Sequence, residues 1–87
     1  MGKAMAEGKV IEIAGTMVDI EFPSGAVPDL YNAVEIEADG GCKVVGEVQE
    51  RLGSNAVRVL TYDSTDGLRP GARAVDTGGP MATAASY

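Results

Sequence analysis

The chain has 87 residues and carries 13 acidic against 7 basic side chains, a formal net charge of -6. A chain of this length is one domain and buries only roughly 60–65% of its unfolded surface. It has no His and one Cys, which excludes Ser-His-Asp and Cys-His catalysis, His-ligated metals, an internal disulfide and Cys-rich zinc or iron–sulfur sites.

The opening stretch, MGKAMAE, lacks periodicity and reads as a leader or frayed start. Lys9–Ile13 and Met17–Phe22 are β-rich runs joined by Ala14-Gly15-Thr16, a hairpin signal. In the second run Val18, Ile20 and Phe22 share one face and Asp19 and Glu21 the other, which is period two. Pro23 ends that strand because it has no N–H for the ladder. Pro23–Asn32 then reads as a loop with one short helical turn at Asp29–Asn32, tucked against the body by Val27, Leu30 and Tyr31.

Ala33–Ala38 alternates again, with Val34 and Ile36 inward and Glu35 and Glu37 outward. Asp39-Gly40-Gly41 is a turn, since glycine supplies positive φ without steric cost. Cys42–Gln49 and Ala56–Tyr62 follow as strands, separated by a turn at Leu52–Asn55. Val57, Val59 and Thr61 share one face of the latter. Gln49–Ser54 has room for one helical turn, cut short by Gly53. Asp63–Gly71 is a polar loop, Arg73–Asp76 a short last strand, and Thr77-Gly78-Gly79-Pro80 a break. The domain therefore spans residues 8–80, with 1–7 as leader and 81–87 as a tail or artificial end. Six short strands at regular spacing with aliphatic cores predict an all-β fold, a small closed barrel, because closure leaves no exposed edge.

Candidate chemistry is sparse. Asp63, Ser64, Thr65, Asp66 and Gly67 form the most polar cluster and offer oxygen ligands to a hard cation. The spacing is not that of an EF-hand loop, and a turn whose side chains satisfy local N–H groups is the favoured reading. Gly40-Gly41 and Gly78-Gly79 build no phosphate-binding loop. Asp19/Glu21 and Glu35/Glu37 are carboxylate pairs, but i, i+2 spacing puts each on an outer strand face where acid–base catalysis is disfavoured. Lys9, Lys43 and Arg51 are scattered. Cys42 reads as a small filler or a surface thiol. The acidic balance disfavours nucleic acid, no signal-peptide pattern opens the chain, and no apolar run approaches the ~18 residues of a membrane span.

Several phrases carry a resemblance. Gly8-Lys9-Val10 with Ile13, Val18–Gly25 (VDIEFPSG), Pro28, Leu30–Ala33 (LYNA), Glu47-Val48-Gln49, Leu52-Gly53, Val57-Arg58, Asp63–Leu68 (DSTDGL), Gly71, Val75–Gly78 and Pro80 occur in order. Together they resemble the start of the catalytic β subunit of F-type ATP synthases. The resemblance covers Gly8 to about Pro80. It departs at Tyr62, where that family usually has Met, and after Pro80.

That resemblance implies a six-stranded Greek-key barrel that alternates with α-subunit barrels in a crown at the end of the hexamer far from the membrane. The phosphate-binding loop, catalytic Glu and arginine finger belong to later domains. It therefore assigns this chain no catalytic, cofactor-binding or metal-ligating residue, and a structural and assembly role rather than an enzymatic one. It implies α-subunit barrels as partners, no nucleic acid and no direct membrane insertion. The implied location is a peripheral membrane complex on the cytoplasmic face of a bacterial inner membrane, or in a mitochondrial matrix or chloroplast stroma. Without its neighbours the chain is expected to be a monomer or weak dimer, its former interface exposed around Pro23–Asn32 and near Met17. The alternative is a free-standing small-barrel module of the oligonucleotide-binding kind, which requires a basic face and exposed aromatics.

Overall fold

The structure is a computed structural model that describes residues 6–62 and 64–80. Its strands are β1 (Glu7–Ala14), β2 (Met17–Glu21), β3 (Asn32–Glu37), β4 (Lys43–Arg51), β5 (Ala56–Thr61) and β6 (Arg73–Pro80). Every pairing is antiparallel, and the order β1-β2-β5-β4-β3-β6 closes on itself. Strands β3, β4 and β5 form a meander and β6 returns beside β3, which is the Greek-key arrangement.

The period-two pattern sets the interior. Val18, Ile20, Phe22, Val34, Ile36, Val57 and Val59 are all buried, joined by Val10, Val44, Val48, Leu68 and Ala74. The predicted inward faces of β2, β3 and β5 are therefore those of the barrel core, and Thr61 completes the β5 face. Strand β1 needs a device, because strict alternation from Val10 would drive Glu12 inside. A bulge resolves this: Val10 pairs with Ile20 while Glu12 pairs with Asp19, so Ile11 is the extra residue. Glu12 is thereby exposed and Ile13 packs against the core.

Two crossovers lace the barrel ends. The loop from β2 to β3 passes β5 and β4, held where Phe22 N–H donates to Asn55 O (2.8 Å) and Tyr31 N–H to Val48 O (2.8 Å). The loop from β5 to β6 runs along β1. Thr65 Oγ1 donates to Gly15 O (2.9 Å), Gly71 N–H to Val10 O (2.6 Å), and Leu68 is buried. It also receives the β3–β4 turn, whose Asp39 N–H donates to Gly67 O (2.9 Å).

Several local expectations are corrected. No helical turn forms at Asp29–Asn32; it is a β-turn closed by Asn32 N–H on Asp29 O (3.2 Å), with Tyr31 at φ 71°. Val27 packs on the core, but Leu30 and Tyr31 are exposed, because the fully buried Pro28 already anchors the loop. Gln49–Arg51 continue β4 rather than starting a helix, with a bulge that leaves Gln49 unpaired. The β3–β4 connection is the expected turn, formed as 3-10 over Asp39–Gly41 with both glycines at positive φ.

The largest local difference is at β6. Thr77-Gly78-Gly79-Pro80 does not break the strand; it lies along β3, with Asn32 opposite Pro80 and Val34 opposite Asp76. The mismatch is absorbed by Gly78 at φ 87° and by side chains. Asp76 Oδ1 accepts from Gly78 N–H (2.9 Å) and Asn32 Nδ2 (3.1 Å), and Thr77 Oγ1 donates to Ala33 O (2.8 Å). At the other terminus Ala6 and Glu7 belong to the fold: Asp76 N–H donates to Ala6 O (2.9 Å), and Glu7 pairs with Val75. Residues 1–5 and 81–87, on which the leader and tail readings fall, and Asp63 lie outside the described residues.

Candidate functional site

The outer faces carry the charges, and arginines stitch them across strands. Asp19 and Arg58 stand opposite each other on β2 and β5. Arg58 Nε donates to Asp19 Oδ1 (2.9 Å) and Nη2 to Oδ2 (3.3 Å), while Glu50 of β4 lies 3.8 Å from Nη1. The Asp19 hydrogen bonds, then its charge, raise the Arg58 pKa further above its ordinary value. Arg73 bridges both neighbours of β6: Nη2 meets Glu7 Oε2 of β1 (2.6 Å) and Nη1 meets Glu37 Oε2 of β3 (2.7 Å). Lys43 Nζ lies 3.7 Å from Glu35 Oε1. The carboxylate pairs Asp19/Glu21 and Glu35/Glu37 thus do not converge: three of the four face a cation of an adjacent strand. Such cross-strand ion pairs favour the observed register.

The Arg73 bridge fastens the seam where β1 and β6 share only Glu7–Lys9 with Arg73–Val75. The hydrogen bond from Arg73, then its charge, holds the Glu7 carboxyl below its ordinary pKa of 4.5. A folded-state pKa below the unfolded one gives stability that is present above about 4.5 and lost as pH falls through the folded value. Arg73→Ala is therefore expected to be least stable relative to the parent near neutrality and to converge with it in acid. Parallel urea melts from pH 7 to pH 2–3, about the acid range in which paired carboxylates protonate, check this; a constant gap across the series would refute it.

The polar loop is a turn. Ser64 Oγ accepts from Asp66 N–H (3.0 Å), and Leu68 N–H donates to Thr65 O (3.0 Å). Asp63 lies outside the described residues. Among the described residues no three His, Cys, Asp or Glu side chains gather as a cation site. Gly40-Gly41 sits in the β3–β4 turn and Gly78-Gly79 within β6, on different elements. Lys9 is on β1, Lys43 and Arg51 at opposite ends of β4, and Cys42 is an exposed free thiol.

Four large apolar side chains are exposed among the described residues. Leu30 and Tyr31 project from the β2–β3 crossover, with Tyr31 58% exposed. Tyr62 is also exposed, and its hydroxyl donates to Glu47 Oε1 (2.6 Å), which with burial raises the phenol pKa. Tyr31 N–H and the Tyr62 hydroxyl meet adjacent residues of β4, Val48 and Glu47. Ile11, on the β1 bulge, lies three strands away around the six-stranded ring. The residue-level reading tucks Leu30 and Tyr31 against the body and misses Ile11 and Tyr62; exposure around Pro23–Asn32 is expected only from the resemblance. Ile11 has a readable signal, an extra apolar residue that breaks alternation.

The model of the ATP synthase alpha/beta family, beta-barrel domain, matches residues 10–78. The chain belongs to that family. The matched stretch runs from Val10, the first buried side chain of β1, to Gly78 of β6, so it covers most of the barrel wall and both crossovers. The β6 extension through Gly78 falls inside the family match.

Proposed function

We propose that this chain is the N-terminal barrel of an F-type ATP synthase β subunit, acting in assembly rather than in catalysis. The observation that carries the reading is the match of the family's barrel domain over residues 10–78. The β-type phrases VDIEFPSG, LYNA and STDGL within that span support the β over the α subunit. In this reading the barrel takes its place in the crown between α-subunit barrels. The parent complex makes ATP by rotary catalysis coupled to proton transport, as a peripheral complex on a bacterial inner membrane or in a mitochondrial matrix or chloroplast stroma. Nucleotide chemistry then belongs to other parts of the parent subunit.

The surface agrees with lateral packing. Exposed large apolar side chains stand on opposite walls, Ile11 on β1 and Leu30, Tyr31 and Tyr62 along β4. A barrel with two different neighbours needs two different faces. Homomeric closure is opposed by charge, because each copy brings -6. Light scattering should find the lone chain monomeric. Mixing it with the isolated barrel of an F-type α subunit should give a heavier species. A stable hexamer of the lone chain in low salt would overturn the reading, as would association with a β barrel but not with an α barrel.

A further inference from the structure

The sequence contains two Asp-Gly dipeptides, Asp39-Gly40 and Asp66-Gly67, and the fold treats them differently. Asp-Gly is chemically special because glycine has no side chain to obstruct attack by its own amide nitrogen on the preceding side-chain carboxyl. The attack forms a five-membered imide.

Asp39 lies in the β3–β4 turn, and its carboxylate is held. Arg69 Nε shares its hydrogen between Asp39 Oδ1 (3.2 Å) and Oδ2 (3.0 Å). Rotation of Cγ toward Gly40 N has to break that contact. Asp66 lies in the β5–β6 crossover and its own N–H is engaged by Ser64 Oγ, but among the described residues nothing holds its carboxylate. Nothing among them engages the Gly67 N–H either; the next amide, that of Leu68, donates to Thr65 O. Gly67 sits at φ 87° on an exposed turn. Electrophile and nucleophile are therefore both free at Asp66-Gly67, whereas the electrophile is tethered at Asp39-Gly40.

We propose that Asp66-Gly67 is a site of spontaneous isoaspartate formation in the folded barrel, and that Arg69 protects Asp39-Gly40 from the same reaction. Gly67 N bonds to Asp66 Cγ of the neutral carboxyl. The Cγ–OH bond breaks, and the hydroxyl leaves with the amide hydrogen as one water. Solvent water then opens the imide. Cleavage at the Asp66 main-chain carbonyl routes the backbone through Cγ and gives isoaspartate, while cleavage at Cγ restores aspartate.

The position gives the change a structural consequence. The isoaspartyl form adds one backbone carbon inside the turn that presents Gly67 O to Asp39 N–H and buries Leu68. The modification therefore loosens the point where the β5–β6 crossover and the β3–β4 turn are joined.

The test is to age the whole chain, folded, in warm mildly acidic buffer beside a denatured sample. Isoaspartate is located by electron-transfer fragmentation and counted by methyl transfer from a protein isoaspartyl methyltransferase. In the folded sample conversion at Asp66 should exceed that at Asp39 several-fold, and in denaturant the two should become comparable. Arg69→Ala should raise conversion at Asp39 several-fold without changing Asp66. Hydrogen exchange on the aged folded fraction should show lost protection at the Asp39 amide. Equal or greater conversion at Asp39 in the folded parent would overturn the proposal. Unchanged conversion at Asp39 in Arg69→Ala would remove Arg69 from it.

Discussion

Ile36→Ala should leave the barrel largely destabilised. Ile36 is fully buried and has a paired strand on each side, facing Val44 on β4 and Ala74 on β6. Removing three carbons of its side chain loses their transfer free energy and leaves a hole. The surrounding side chains are themselves pinned in three hydrogen-bonded strands and cannot collapse into it. Such truncations cost about 2–5 kcal/mol. A domain of this length holds about 5–10 kcal/mol in total, so the loss takes a large share of it. The companion change Glu35→Ala, one residue away on the outer face, removes a partly exposed side chain whose cation, Lys43, is 3.7 Å distant. It should cost under about 0.5 kcal/mol. Urea midpoints for the two variants check the pair, and equal midpoints would mean that inside and outside of β3 have been exchanged.

That contrast rests on what alternation makes readable. Val18/Ile20/Phe22, Val34/Ile36 and Val57/Val59/Thr61 repeat every second residue, and a strand with one buried face has no other register available. The inward faces of β2, β3 and β5 were therefore legible without any structure. The C-terminal half of β6 was not. Thr77-Gly78-Gly79-Pro80 contains the two strongest local breakers, and the strand persists there because of β3, Asn32, Ala33 and the Asp76 carboxylate, all distant in sequence. Tyr31 is a second case: nothing local announces a tyrosine at φ 71°, which is set by the bond from its amide to Val48 O on β4. The surface followed the same division. That the carboxylate pairs face outward was readable from spacing, but that Arg73 joins Glu7 to Glu37 requires knowing that β6 lies between β1 and β3. The family was legible because its distinctive phrases fall on turns and crossovers, where particular residues are demanded, and not only on interchangeable aliphatic strands.

Gly46→Ala should be at least as damaging as Ile36→Ala, although it adds a single methyl. Gly46 occupies an inward position of β4 between Val44 and Val48, so alternation alone would put a side chain there. None fits. A Cβ at that position would lie 2.5 Å from Val59 Cγ1 and 2.7 Å from Leu60 O. Val59 is fully buried, so its side chain can yield only into the core. Leu60 O is main chain on the strand that pairs with β4 through Glu47↔Leu60, so relief requires β4 and β5 to part. Overpacking of well-filled cores costs about 1–3 kcal/mol and occasionally more. With one of the two obstacles being backbone, a loss of about 3 kcal/mol or above is expected. Gly79→Ala is the matched control. It adds the same methyl to β6, at a position without positive φ, where nothing lies within 4 Å, and it should leave the melting midpoint nearly unchanged. If the two alanine variants melted together, β4 and β5 would be able to separate freely at Gly46. The barrel would then be held by the meander's turns and crossovers rather than by close contact between its walls.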